Sequence, residues 1–263
     1  MFGLDTLFAP AMIATLVAIV IVGAIKHGVI GFGFPLISTP LIALLIDVKT
    51  AVLITVLPNI AINVVSILRG GNWRESIGKH WPMAIWVVLG TVVGTHFLLV
   101  APPELLQVLL AAMIVVFLAQ ARIRHLDWAW IIRRPAVSGV AFGLVAGLFS
   151  GAVNVGAPPL LIYFMMLELP PVALTQTLNL CFIAGKTVQA ATLSLAGPGS
   201  LPLLTASLPL TALAIAALLL GTQLQKRMSD ALYFKILRVT LATFVILLIG
   251  QAAIELARRF HVW

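Results

Sequence analysis

The chain holds 263 residues, of which 62% are apolar and 9% charged, with two tyrosines, a mixture that does not build a water-soluble globule of this length. Sixteen Lys and Arg against eight Asp and Glu give a formal charge of +8; these cations fall between hydrophobic runs, so they read as membrane topology, not as a nucleic-acid surface. The single cysteine, Cys181 inside an apolar run, rules out a disulfide framework and cysteine-based metal clusters.

The N-terminus carries Asp5 and no Lys or Arg before its apolar stretch, so the first helix is read as retained and not cleaved as a signal. Apolar segments are predicted at 8–25, 35–46, 50–68, 82–100, 104–121, 136–151, 158–169, 172–195, 202–221 and 231–252. Segments 35–46 and 158–169 are too short for the roughly 20 residues of a crossing. Each opens at a proline, Pro35 or Pro158, after a glycine-rich stretch, and each comes second in its half of the chain. A shift of 123 positions lays Gly28 on Gly151, Gly33 on Gly156 and Pro35 on Pro158, and a shift of 127 lays Gly94-Thr95 on Gly221-Thr222. The chain therefore reads as one membrane domain made of two repeats, 1–125 and 126–263. The expected fold is an all-α integral membrane protein with two inverted repeats of about five segments each, whose short broken helices meet near the membrane midplane.

Charge supports the inversion. Arg69, Arg74 and Lys79 follow segment three, Arg122, Arg124, Arg133 and Arg134 separate the halves, and Lys226 and Arg227 precede the last segment; the positive-inside rule puts all three clusters in the cytoplasm. Segment three then runs inward and its counterpart, segment eight, runs outward. Arg258 and Arg259 fall on the outer side, against the rule.

GVIGFG and GAVNVG are glycine-rich stretches at membrane depth, where irregular backbone survives only if protein buries it or a cavity borders it. The helices starting at the following prolines would aim N–H groups and positive dipole ends inward, an arrangement suited to an anion. The competing reading is a pair of kinks that permit close helix packing. Lys186 sits deep in segment eight and is the leading anion contact, with Lys26 and His27 near the first glycine stretch as companions. His96 is expected to be packed, with one nitrogen satisfied. Neutral amides and a hydroxyl gather on the same elements: Asn59 and Asn63 one turn apart on segment three, Asn154 in the second glycine stretch, and Gln176, Thr177, Asn179 and Gln189 on segment eight. Every Asp and Glu lies near a segment end or in a loop, which disfavours a cation carrier. With no P-loop, zinc-ligand pair or serine elbow, neither catalysis, cofactor nor metal is expected.

Residues 26–46 and 50–71, together with GLVAGLFSGAVNVGAPPLLIYF (143–164) and LPPVALTQT (169–177), resemble the two signature regions of the TauE/SafE sulfite-exporter family over nearly the whole chain. The resemblance implies a permease of the bacterial inner (plasma) membrane that moves sulfite, organosulfonates or related sulfur anions. It carries over to Gly31, Gly33, Pro35, Gly156, Pro158 and Pro159 as signature positions. Where many members show a triple glycine, this chain has Gly31-Phe32-Gly33-Phe34 and Val155-Gly156-Ala157. The function expected is secondary export of a small sulfur anion by alternating access of the two repeats. The expected partners are that anion and the lipid bilayer, and a homodimer is allowed. A channel-like or cation permease and an integral-membrane enzyme are the competing classes.

Overall fold

The computed structural model describes residues 9–71, 73–123, 128–196 and 200–225, with positions 242, 246, 249 and 250 beyond them. The expected last segment, 231–252, otherwise lies outside the described residues, as do Arg124, Lys226, Arg227, Arg258 and Arg259. The regular elements among the described residues are helices: α1 (Pro10–Ile30), α2 (Pro35–Leu45), α3 (Val48–Gly70), α4 (Trp73–His80), α5 (Pro82–Val100), α6 (Pro103–Ile123), α7 (Ala129–Arg133), α8 (Pro135–Val153), α9 (Ala157–Met166), α10 (Pro171–Leu195), α11 (Ser200–Ala206) and α12 (Leu208–Leu224). Proline opens α1, α2, α5, α6, α8 and α10, a position where its missing N–H costs nothing and its fixed φ suits the first turn. Asp47 instead caps α3 by accepting from the Thr50 amide at 2.9 Å and the Thr50 hydroxyl at 2.7 Å.

Five stretches are long and apolar enough to cross a membrane: α1, α3, α5, α8 and the α11–α12 run Ser200–Leu224. Val93, Val100 and Leu195 stand exposed, as side chains bordering lipid do. The short helices α2 and α9, of 11 and 10 residues, reach only about 16 Å and 15 Å, half the hydrocarbon thickness. They do not span. Each is the returning arm of a hairpin: the Tyr163 hydroxyl in α9 donates to the carbonyl of Pro135 at the start of α8, at 2.9 Å.

The breaks themselves share one device. α1 ends at Gly31 with φ 94°, and α8 ends at Asn154 with φ 64°, both left-handed caps and 123 positions apart in the register read from the sequence. Glycine adopts this conformation freely; asparagine is among the few other residues that tolerate it.

Two helix pairs hold the molecule together. α5 packs along α8, and α12 along α1, at distances only glycine permits. A Cβ on Gly94 would stand 2.0 Å from the Leu148 carbonyl oxygen, and one on Gly221 would stand 2.2 Å from that of Ile25. The reciprocal contacts match as well: Gly151 faces the Thr91 oxygen and Thr95 nitrogen, and Gly28 faces the Leu218 oxygen and Thr222 nitrogen. Every partner shifts by 127 or 123 positions between the two sets. A separate apolar cluster, including Val20, Ala24, Phe34, Ile62, Ala214 and Leu218, fills the α1–α12 side.

Some expectations need correction. The first helix does not stop at 25 but continues to Ile30, so Lys26 and His27 lie inside it. The two breaks are reached from different points along α3. His27, beside the first, approaches Ser66 of α3, whereas Asn154, at the second, reaches Thr55 of the same helix; those eleven positions correspond to about 16 Å of helix. The cause is the length of the outgoing arms: α1 and α8, of 21 and 19 residues, extend about 31 Å and 28 Å before they break. Each break therefore lies toward the side opposite the start of its hairpin, with Asn59 and Asn63 between them on α3.

A Gly94→Val substitution is expected to force α5 off α8 and destabilise the protein by about 1–3 kcal/mol, with Gly221→Val acting similarly through α1 and α12. Thermal unfolding of the two variants in detergent, compared with the wild type, checks both.

Candidate anion site between the two helix breaks

The polar side chains of the interior lie where lipid cannot reach them. Lys26, His27, Thr39, Thr55, Asn59, Asn63, Asn154, Gln176, Thr177, Asn179, Lys186 and Gln189 are all buried. α3 and α10 pack against each other and connect the breaks, one near each end of the buried stretch.

At the first break the chain satisfies much of its own backbone. The Lys26 ammonium donates to the carbonyls of Phe32 at 3.2 Å and Gly33 at 2.9 Å, and sits 5.5 Å from the centre of the Phe32 ring. The Phe34 amide donates to His27 Nδ1 at 3.4 Å, and His27 Nε2 lies 3.1 Å from the Ser66 hydroxyl; an accepting Nδ1 puts the hydrogen of the neutral ring on Nε2. Gly33 sits at φ 84°, a left-handed conformation that L side chains rarely adopt, which is why glycine stands there. Asn179 from α10 donates to the Gly31 carbonyl at 3.0 Å, and Gln176 donates to Ile67 and Gly71 at 3.4 and 3.3 Å.

This arrangement changes the role expected of the helix start. The amides of Leu36, Ile37 and Ser38 donate to Gly33 or Phe34 carbonyls and that of Phe34 to His27, while Pro35 has no N–H. The first turn of α2 thus spends its donors internally. At α9, Pro158 and Pro159 remove two donors outright. A free ring of amides does not describe the α2 start.

The second break is braced from α10. Lys186 donates to the Ser150 carbonyl at 2.7 Å and to Gln189 Oε1 at 2.6 Å, and Gln189 Nε2 donates to the Gly151 carbonyl at 2.8 Å. These carbonyls belong to the last turn of α8, where the dipole favours a cation, and that of Ser150 also accepts from the Asn154 amide at 3.2 Å. Asn154 donates to the hydroxyls of Thr39 and Thr55, both at 2.8 Å, joining the second half of the chain to the first. Gly156 is needed for close approach: a Cβ there would sit 2.4 Å from the Ala146 carbonyl oxygen.

Both lysines thus engage neutral partners, and these bonds use two of the three donors on each amine. Asn59 Nδ2 and the side-chain oxygens of Asn63, Thr91, Asn154, Gln176 and Asn179, together with that of Gln107 on α6, are buried without a hydrogen-bond partner in the protein, polar groups that call for a partner. Pro58, lacking an N–H, cannot donate the helix bond to the Ile54 carbonyl of α3. His96, expected to be packed, is exposed on α5, with Nδ1 2.8 Å from the Val92 carbonyl.

Sequence reading passed over Thr39, Thr55, Ser66, Ser150 and Thr91. The register offered a signal for two of them. Shifting by 123 sets Ser66 on Gln189 and His27 on Ser150, and in both halves the later residue bonds the last turn of the long hairpin arm.

The match to known families falls on these elements. The chain matches the family described as Sulfite exporter TauE/SafE over residues 15–251, a stretch that contains both breaks, α3 and α10. The chain belongs to that family. No curated protein and no solved structure matches it. TauE/SafE proteins are membrane transporters, and the multi-pass helices described above fit that class.

Replacing Asn154 separates backbone from side-chain effects. Asn154→Gly keeps the left-handed cap and loses only the two threonine bonds, whereas Asn154→Ala adds left-handed strain of roughly 1–2 kcal/mol. Melting temperatures should fall in the order wild type, Gly, Ala.

Proposed function

We propose that this TauE/SafE protein is a secondary transporter of the bacterial inner membrane that exports a small sulfur-containing anion, sulfite or an organosulfonate, by alternating access of two inverted repeats, 1–125 and 126–263. The observation that carries the reading is the pair of buried lysines, Lys26 and Lys186, each facing neutral partners beside amides left unpaired. A buried cation without an opposing carboxylate favours an anionic guest. Asn59, Asn63, Asn154, Gln176, Thr177 and Asn179 line the proposed path, and Gly31, Gly33 and Gly156 shape its turns. Export of a monovalent anion needs no coupling ion, because an inside-negative potential contributes ~2.3 kcal/mol per 100 mV.

The glycine contacts support a particular division of the moving parts. α5 and α12 each grip the first helix of the other half, so the units that would rock are the exchanged pairs α5–α8 and α1–α12. The bonds from Asn154 to Thr39 and Thr55, which join hairpin to hairpin, are those that must open.

A cation permease is the second reading, favoured by the unpaired oxygens of Asn63, Asn154, Gln176 and Asn179. Yet Asn59 Nδ2 already stands unpaired, and Asn154, whose partners are hydroxyls, can turn by half a rotation to offer its nitrogen, so the same region suits an anion.

Sulfite efflux from proteoliposomes tests the assignment. Lys186→Met is expected to slow it about 10–100-fold, the value of one charge-assisted bond of 1.5–3 kcal/mol; an undiminished rate would remove Lys186 from the path, and flux demanding sodium would favour the cation reading. In a Cys181→Ala background, a Thr39→Cys/Asn154→Cys pair should stop efflux when cross-linked and recover on reduction.

A further inference from the structure

A cavity of ≈ 1040 Å³ opens at the α4 side of the molecule, between α4, the starts of α5, α8 and α10, and the end of α9. Its rim carries Arg74, Lys79 and His80 from α4, with Glu168 as the acid among its lining residues. The N-terminal ends of α5 and α8, at Pro82 and Pro135, border it and add positive dipole ends. His80 is held below the usual histidine range, first by burial and then by neighbouring Lys79, so at neutral pH the ring is uncharged and the positive potential comes from Arg74 and Lys79.

The wall opposite is aromatic. Trp86 and Phe164 line it, His80 meets Phe164 edge-on at 5.8 Å, and Tyr163 packs 5.2 Å from Phe164 while its hydroxyl is committed to Pro135. A volume of this size matches small-molecule sites of about 300–1,000 Å³, far beyond one bare oxyanion. It suits an anion with an organic body. The cavity also lies on the proposed route: Ala173 lines it, and Gln176, one turn on along α10, reaches the α3 end beside the first break. Arg69, Arg122, Arg133 and Arg134, the neighbouring clusters in the sequence, assign this face to the cytoplasm by charge, the loading side of an exporter.

We propose that this cavity is an anion vestibule, which takes a sulfonate or carboxylate on a small apolar body, holds the charged group between Arg74 and Lys79 and the body against Trp86, and passes it toward the first break. The loading role rests on the transport reading above; binding does not.

The test uses benzenesulfonate and the full chain in phosphatidylcholine nanodiscs, with affinity read by calorimetry. R74Q/K79Q alters two exposed side chains and is expected to raise Kd at least tenfold, W86L to raise it severalfold, and neutral benzenesulfonamide to bind at least tenfold more weakly. Benzenesulfonate added on the α4 side of proteoliposomes should inhibit sulfite flux competitively, with an inhibition constant raised to the same degree by R74Q/K79Q. Unaltered affinity in the double variant would overturn the vestibule while leaving sulfite transport intact. Competition by phosphatidylglycerol nanodiscs that abolishes binding would assign the cavity to a lipid headgroup and overturn it too. Binding without any sulfite flux would instead overturn the transport reading.

Discussion

Hydrocarbon offers no water to a broken helix, and that constraint organises the interior of this protein. Each outgoing hairpin arm ends inside the bilayer, where exposed carbonyls would otherwise go unpaired. The two halves solve the problem with different residues. The first uses its own chain, folding Lys26 back over Phe32 and Gly33 and turning His27 to receive the Phe34 amide. The second uses a neighbour, with Lys186 and Gln189 of α10 bonding the end of α8. In the second, an amine lies against the negative end of a helix. Oriented dipoles, not a carboxylate, face that amine.

Structural necessity and the proposed binding fall on the same lysines here. What distinguishes a transporter interior from a merely well-packed one is the surplus. Asn63, Asn154, Gln176 and Asn179 each spend their nitrogen on the protein and keep an unpaired oxygen. Unpaired buried amides are costly in a static core. They are tolerable in one that is periodically occupied.

The duplicated Gly-Pro punctuation was legible because the backbone has few ways to turn at membrane depth, and the shifts of 123 and 127 reappear in the contacts of Gly28, Gly94, Gly151 and Gly221. The end of α1 was not. Lys26 and His27 read as residues just past the end of the first helix, yet the Phe32 and Gly33 carbonyls around Lys26, and the Phe34 amide and Ser66 hydroxyl around His27, keep both buried within it. The depth of each break was hidden for the same reason, since it depends on how far the arm extends first. Helix α4, carrying Arg74 and Lys79, appeared only as a charged loop. Thr39 and Thr55 carried no signal of their own, hydroxyls being common in membrane helices, and only their shared bond to Asn154 singles them out.

The exchanged pairing also bears on how the chain is made. α1 emerges from the ribosome with its glycine face bare, and the helix that covers it, α12, lies some 190 positions downstream, as the contact of Gly28 with Leu218 records. At synthesis rates of about 5–20 residues per second, the first helix waits on the order of 10–40 s for its mate. Neither half can close its own seam, so a prematurely terminated chain would leave α1 unmatched in the bilayer, a ready substrate for membrane quality control.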